Sequence, residues 1–453
     1  MAEFTIRRGY DIPMKGAAEP TLREAQAPKF VAIKPTDFKG IKPRLLVQVG
    51  DDVSIGTPLV EDKTDPRIRF VSPGGGKVVA VNRGRRRRLE EIVIEISPEE
   101  TALDFQARPI DQIDALDDRV QVQANLLEAG LWPLIIQRPY ARIATPDVEP
   151  QAIFVSAHDT EPLTADQIFL IKDRREDFEA GLTVLSKFTE GCIHLCLPKN
   201  PNLDVPWLNT AKGCCVQHFS GPHPTGCFGT FIENVEPVRH GKTAWTLKAA
   251  DVADIGKFFL TGRYPTERIV AVSGESIESP GYFRTRAGAH ASTLLPKDLS
   301  DSENRVISGG VLTGTGIHRE GFLGFYHSTL TVIREGGKRR LFGWLDPGFT
   351  RSSYSRAFVS AFKNNGSYSF DTSMNGDKRA IVPIGSYESV MALDIEPTFL
   401  FKSIMYGDLE EAGKLGLLDV AEEDVALCSY VCHSKIDYCS LVRQALDQYE
   451  KEG

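Results

Sequence analysis

Long apolar runs are missing from this sequence. No stretch approaches the roughly 18 uninterrupted apolar residues of a membrane-spanning helix, and the longest, around Leu131–Ile136, is broken by Pro133. The opening residues Met1-Ala2-Glu3-Phe4-Thr5-Ile6-Arg7-Arg8 lack the apolar stretch of a secretory signal. A cytosolic chain that meets a membrane only through partners is expected. A surplus of positive charge is missing as well: 53 Lys and Arg face 61 Asp and Glu, for a formal net charge of -8. That balance argues against nucleic acid as the main partner, because phosphate binding needs a basic footprint. Cysteine is sparse. Eight in 453 residues do not make a disulfide framework, and without a signal segment they are expected to stay reduced.

What is present is length and apolar content. With 453 residues, 42% of them hydrophobic, the chain suggests about three domains of ordinary size. Residues 1–100 read as β-rich. Arg44–Asp62 sets Val/Leu-rich segments around the turn signals Gly50-Asp51-Asp52 and Ile55-Gly56, and Ile68–Gly84 repeats the plan around Pro73-Gly74-Gly75-Gly76. Two such hairpin halves, closed by Glu91–Ile96, predict a barrel-sandwich hybrid of the lipoyl and biotinyl carrier type. Residues 101–262 alternate helix and strand: a capped helix over Asp118–Trp132, a strand over Gln151–Asp159, a long helix over Ala165–Thr189, a strand over Gly191–Pro198. That alternation predicts a mainly parallel, Rossmann-like α/β sheet. Residues 263–318 have short strands and many glycines, as in a β-grasp module. Residues 319–395 read as a β-rich segment, with a hairpin over His327–Leu345 turning at Gly336-Gly337. Residues 396–453 are helical, with Ile436, Cys439, Val442, Leu446 and Tyr449 on one face.

Several blocks run in order along nearly the whole chain: Arg8-Gly9-Tyr10-Asp11-Ile12-Pro13, VQVGDDVSIGTPLVEDK (Val47–Lys63), QRPYARI before AIFVSAHDTEPL (Ala152–Leu163), FSGPHPTG (Phe219–Gly226), VSGESIESPGYFRTRAGA (Val272–Ala289), RVISGGVLTG (Arg305–Gly314), FGWLDPG (Phe342–Gly348), NGDKRAIVPIGSYESVMALDIEP (Asn375–Pro397) and CSYVCHSKIDYCSLVRQAL. Together they resemble the A-subunit family of the sodium-translocating NADH:quinone reductases. His433 stands where that family usually shows proline, and the Arg85–Arg88 run is richer in arginine than the family pattern. The resemblance implies a component of a six-subunit bacterial inner-membrane enzyme that oxidises NADH, reduces ubiquinone and exports Na⁺. It implies a peripheral place on the cytoplasmic face and a share in the semiquinone-to-quinol step. The partners would be subunits B to F, chiefly the membrane-embedded B subunit. It also implies an α/β domain related to the flavoprotein subunit of respiratory complex I, followed by an SLBB-like β-grasp module.

Those relatives carry flavin and iron–sulfur centres, and the residues for them are not evident here. Phosphate cradling needs closely spaced glycines at a strand-to-helix turn, and no G-x-G-x-x-G follows a strand in the α/β region. Cys428, Cys432 and Cys439 are one thiolate short of a cluster, at the wrong spacing. Cys192, His194 and Cys196 alternate along one strand, with Cys214, Cys215, His218, His223 and Cys227 nearby. They lack the tight x₂ knuckle of a zinc site and read as apolar packing. Lys63 sits where a carrier domain bears its modified lysine, but Thr64-Asp65-Pro66-Arg67 alter the turn. The chain is therefore expected to bind no cofactor or metal of its own and to have no catalytic residue acting alone.

A quinone head needs a partly apolar slot, an aromatic wall and donors to its carbonyls. Trp132, Arg138, Tyr140 and Arg142 supply these types in one loop, and His218, Phe219 and His223 in another. Both loops could equally be rigid packing between domains. Three functions remain open: a component contributing to quinone binding and reduction, an assembly scaffold, or a stand-alone NADH–flavin oxidoreductase.

Overall fold

The computed structural model describes residues 2–452 apart from 110–111, 113–118, 203, 240, 301, 338–342 and 363–365. Near the N-terminus, short β-segments interrupted by glycine turns fold into two small sheets. One pairs Phe30–Ile33, Leu89–Ile96, Gly76–Arg83 and Asp52–Val53. The other pairs Pro43–Leu45, Pro58–Asp62 and Arg69–Val71. Val31, Leu59, Val60, Val78, Ile92 and Ile94 are fully buried between them. This is the barrel-sandwich hybrid read from the sequence. Lys63 is exposed at its hairpin, in a loop held by Arg67 on Asp65 and Asp147. The Arg85–Arg88 run forms an exposed turn between the two longest strands.

The α/β domain is built on a seven-stranded sheet. We label its parallel strands β1 (Ala2–Thr5), β2 (Ala152–Ser156), β3 (Ile193–Pro198), β4 (Cys215–Ser220) and β5 (Ala244–Lys248). In space they run β1-β4-β3-β2-β5, and the antiparallel Ile136–Arg138 and Arg142–Ile143 close the far edge. Buried residues along β2 alternate between two cores. Ile153 and Val155 face a large core shared with the N-terminal module, whereas Ala152 and Phe154 face a smaller one with Phe219 and Phe231. Helix α1 (Arg119–Glu128) lies in the chain between β1 and the rest of the sheet; Asp118, its expected cap, lies outside the described residues. The single long helix read over Ala165–Thr189 is instead two, α2 (Gln167–Ile171) and α3 (Arg175–Leu185). The break falls where Arg174 reaches Asp254 at 2.9 Å and Asp177 at 3.0 Å, so ion pairing overrides helix continuity. Helices α4 (Phe228–Val235) and α5 (Ala249–Thr261) complete the layers.

Next comes a six-stranded sheet that takes Glu19–Glu24 from the N-terminus and Thr329–Arg334 from beyond the glycine-rich stretch. The first arm of the hairpin expected over His327–Leu345 is Thr329–Arg334, an interior strand with Asn304–Ser308 along one side and Glu267–Ser273 beside Thr329–Thr331 on the other. Residues 338–342 of that hairpin lie outside the described residues. Between Thr329–Arg334 and residue 395, where more strand was expected, the described residues form turns and two 3₁₀ segments.

The tail folds as α6 (Pro397–Tyr406), α7 (Leu409–Lys414), α8 (Glu422–Val431) and α9 (Tyr438–Glu452). They enclose a second core of Tyr387, Leu400, Phe401, Tyr438, Val442 and Leu446, with Ile12 inserted from the N-terminal arm. No described helix is long and apolar enough to cross a membrane. One cysteine expectation is overturned: Cys192 and Cys215 form a disulfide. Adjacent strand starts bring them together, with Cys215 opening β4 opposite His194 of β3. That neighbourhood is invisible at a sequence separation of 23.

Candidate functional site

The strand order reverses at β2, with β3 and β4 on one side and β5 on the other. In open α/β sheets, ligands collect outside the carboxyl ends of the strands at such a switch point. Here residues 157–161 leave β2 and Lys248 ends β5. A crevice of about 270 Å³ opens there, lined in part by His158, Asp159, Thr160, Glu161, Asp166 and Asn202.

The helix starts around this region already meet carboxylates. Asp166 accepts from Ile168 N at the head of α2, at 2.9 Å. At the head of α4, Phe228 N donates to Glu423 Oε1 (3.3 Å) and Gly229 N to Asp424 Oδ1 (3.1 Å). Asp251 occupies the first turn of α5, with Arg268 at 3.6 Å. Glu161 is held by Leu312 N, Thr313 N and Thr313 Oγ1 at 2.6–3.0 Å. Phosphate groups favour helix N-termini because unpaired N–H groups and the helix dipole attract anions. With side-chain carboxylates standing there, a second and more highly charged anion would be repelled. The donor set does not fit the phosphate of a flavin or dinucleotide.

Titratable groups crowd the same region. Lys248 Nζ lies 3.9 Å from Asp159; burial works against its charge, but the carboxylates of Asp159, Asp251, Glu423 and Glu161 raise its pKa overall. Burial pulls His158 down to about 4, against the opposing pull of Asp159 and Asp11. Burial also lowers His223, against Asp159, Asp11 and Asp424. Both imidazoles are therefore neutral near pH 7. His223 Nδ1 is 3.1 Å from Thr160 Oγ1. The Nε2 atoms of His158 and His223 are buried, with no hydrogen-bond partner among the described residues. Burial and adjacent Asp424 push Glu423 up to about 7, against Arg138, Lys248 and Lys39; its side chain is 36% exposed, so water tempers that push.

The seven residues predicted for a quinone slot do not converge. Trp132 and Phe219, expected as its aromatic wall, are core residues. Trp132 is fully covered, donates its indole N–H to Ala144 O at 2.7 Å, and meets Phe188 and Trp245 edge-on. Phe219 is equally covered, stacked on Phe4 in the other core. A ring without an accessible face has nothing to offer a ligand. Arg138 is not a free donor either: its guanidinium lies 2.5 Å from Asp424 Oδ2 in a buried ion pair. Arg142 holds Asp447 (2.9 Å) and Glu450 of α9. Tyr140 is half-buried against the C-terminal core, and its carbonyl accepts from Arg443 at 2.8 Å. His218 lies half-buried in β4 opposite Glu3 of β1. Of the seven, His223 contacts a residue of the crevice lining. Sequence reasoning missed His158, Asp159, Lys248, Glu423 and Asp424. Two signals pointed to them: the polar stretch directly after an apolar strand, and the Glu-Glu-Asp opening of α8.

Among the described residues, Cys428, Cys432 and Cys439 are not gathered as a candidate metal group. Cys432 Sγ is 3.1 Å from the Tyr387 hydroxyl, Cys439 Sγ is 3.3 Å from Glu422 O, and Cys428 is buried.

Comparison with known proteins assigns the family. Residues 4–97 match the family model described as the NqrA N-terminal barrel-sandwich hybrid domain, residues 117–264 the NqrA second alpha/beta domain, and residues 269–319 the NQRA C-terminal domain. The A subunit of the Na(+)-translocating NADH-quinone reductase of Neisseria meningitidis serogroup B is 41% identical over 451 residues, covering 99% of each chain. Its namesake from Yersinia pestis bv. Antiqua is 41% identical over 449 residues, again covering 99% of each. A solved chain of air-oxidized NAD+-reducing [NiFe]-hydrogenase aligns with 14% identity and a TM-score of 0.38, over 78% of this chain and 68% of its own. With near-complete coverage at this identity, and matches to three successive domains, this chain belongs to the family of Na(+)-translocating NADH-quinone reductase A subunits.

Proposed function

We propose that this chain serves a sodium-translocating NADH:ubiquinone reductase as its peripheral A subunit on the cytoplasmic face of the inner membrane. It would work beside subunits B to F, chiefly the membrane-embedded B subunit, and take part in the semiquinone-to-quinol step without carrying electrons itself. The observation behind this reading is the make-up of the switch-point region. Carboxylates occupy the helix starts where a flavin phosphate would be gripped. What remains are two neutral imidazoles with unpartnered Nε2 atoms, and an acid that titrates near neutrality. The imidazoles suit hydrogen bonding to a quinone carbonyl, and the Glu423 carboxyl suits proton delivery. One electron from a neighbouring component of the complex and two protons convert a semiquinone anion to quinol. In this reading His158 and Thr160 face the ring and His223 positions Thr160.

The test is steady-state kinetics of the assembled complex carrying His158→Gln or His223→Gln. NADH-to-flavin electron transfer should be unchanged while quinol formation falls about tenfold, as loss of a hydrogen bond of about 1–1.5 kcal/mol would give. Unchanged quinol formation in both variants overturns the proposal.

A further inference from the structure

At the opposite end of the sheet, away from the switch point, three metal-ligating side chains meet. Cys192 immediately precedes β3, His194 lies within it, and Cys215 opens β4 as the register partner of His194. One ligand atom from each lies within 4.8 Å of the others. Cys196, which shares the strand with His194, is not one of the three; it is buried beside Phe154 and Phe231. The alternation along β3 groups the wrong cysteine with the histidine, because cross-strand register joins residues that the chain separates.

The disulfide joins the two sulfurs, and an imidazole with a fixed ring stands beside them. His194 is nearly buried, and its Nε2 lies 3.0 Å from Glu236 Oε2. Glu236 is itself fixed by Gln151 Nε2 at 2.9 Å. This carboxylate–imidazole pairing is the arrangement that orients metal-ligating histidines and raises their basicity. It leaves Nδ1 directed toward the neighbouring strand, where Gln217 Nε2 lies 3.4 Å away. Cys215 is exposed and Cys192 half-buried, so the group is open to solvent from one side.

We infer that Cys192, Cys215 and His194, in the dithiol form of the protein, bind one thiophilic divalent cation, zinc by preference, with solvent in the fourth position. Two thiolates and one imidazole form a Cys₂His set, and zinc accepts such a set with an open fourth site. The disulfide and the metal form exclude each other. A dithiol reductant supplies two electrons and two protons to open the disulfide, becoming a disulfide itself. The cation then displaces both thiol protons to solvent as the two Sγ–metal bonds form. Metal binding would therefore fasten the starts of β3 and β4 under reducing conditions, as the disulfide does under oxidising ones.

The test is a Co²⁺ titration of the full chain under a phosphine reductant, read by absorption, with Zn²⁺ as competitor. One Co²⁺ per chain is expected, with a sulfur-to-cobalt charge-transfer band and tetrahedral d–d bands that Zn²⁺ abolishes. Cys192→Ser and Cys215→Ser should each remove the charge-transfer signature of the paired thiolates, and Glu236→Gln should weaken binding about tenfold. Cys214→Ser should leave binding unchanged. Oxidised wild-type protein should bind no Co²⁺, a comparison that needs no variant to fold. Absence of the charge-transfer band in the reduced protein overturns the proposal. So does an unchanged spectrum in Cys192→Ser or Cys215→Ser, or loss of binding in Cys214→Ser.

Discussion

Asp424 illustrates how one side chain can join several segments. It accepts from Arg138 Nη2, Gly229 N and Ala421 N, and is 2% exposed. Removing Arg138 would strand that carboxylate. Arg138→Met should destabilise the chain by about 3–5 kcal/mol, the usual loss when one partner of a buried pair is deleted, measured by urea unfolding. Asp251 offers a pH readout. Burial pushes its carboxyl from 3.8 up to about 6, against Arg268. A raised folded-state pKa means the native chain holds the proton more tightly than the unfolded chain. This contribution to stability is full below pH 3.8 and is lost as pH rises through about 6. Asp251→Asn should flatten the stability profile across that window; an identical slope in wild type and variant would refute the assignment.

Among the elements, α3 and α5 pack with their backbones unusually close. A Cβ on Gly181 would collide with the Val252 carbonyl, and one on Gly256 with the Asp177 carbonyl. Helix propensity alone says that Gly256→Ala should stabilise by up to about 1 kcal/mol. Packing says the reverse, because the added methyl must push against backbone rather than a flexible side chain. A net loss of about 1–3 kcal/mol is expected, the scale of an overpacked contact, and the sign of the change in unfolding midpoint decides between the two effects. The broken helix at Arg174 teaches a related lesson. Its local pattern was continuous, yet the helix breaks where half-buried Arg174 pairs with buried Asp254.

For the molecule as a whole, the helical tail is fastened to the α/β domain. Arg142 pairs with α9, Arg443 reaches the Tyr140 carbonyl, and Arg138 pairs with α8. Deleting residues 438–452 would remove the fully buried Val442 and Leu446 and uncover the rest of the second core at Tyr387, Leu400 and Phe401. Each buried aliphatic contributes about 1.5–3 kcal/mol. The shortened chain should lose its cooperative thermal transition and be cut rapidly within residues 387–431 by limited proteolysis. The intact chain, purified by itself, should show no flavin absorbance, because the helix starts near the switch point carry carboxylates. Stoichiometric bound flavin would contradict that account of the site.

Composition and periodicity were enough to determine the order of modules: a carrier-like β-module, a parallel α/β sheet, a glycine-rich β-module and a helical tail. Each rests on local signals, such as turn residues, apolar period and helix spacing, that survive in a linear reading. The sequence of the α/β region also has no G-x-G-x-x-G after a strand. Tertiary structure alone decided which polar residues meet. Arg138 and Asp424 are 286 positions apart, and Cys192 and Cys215 are 23 apart. Aromatic residues such as Trp132 and Phe219 look alike in sequence whether they wall a ligand slot or fill a core. Pairing of β4 with the distant β1 and β3 set the face of Phe219, and a 3₁₀ turn, with the indole donating to Ala144 O, turned Trp132 inward.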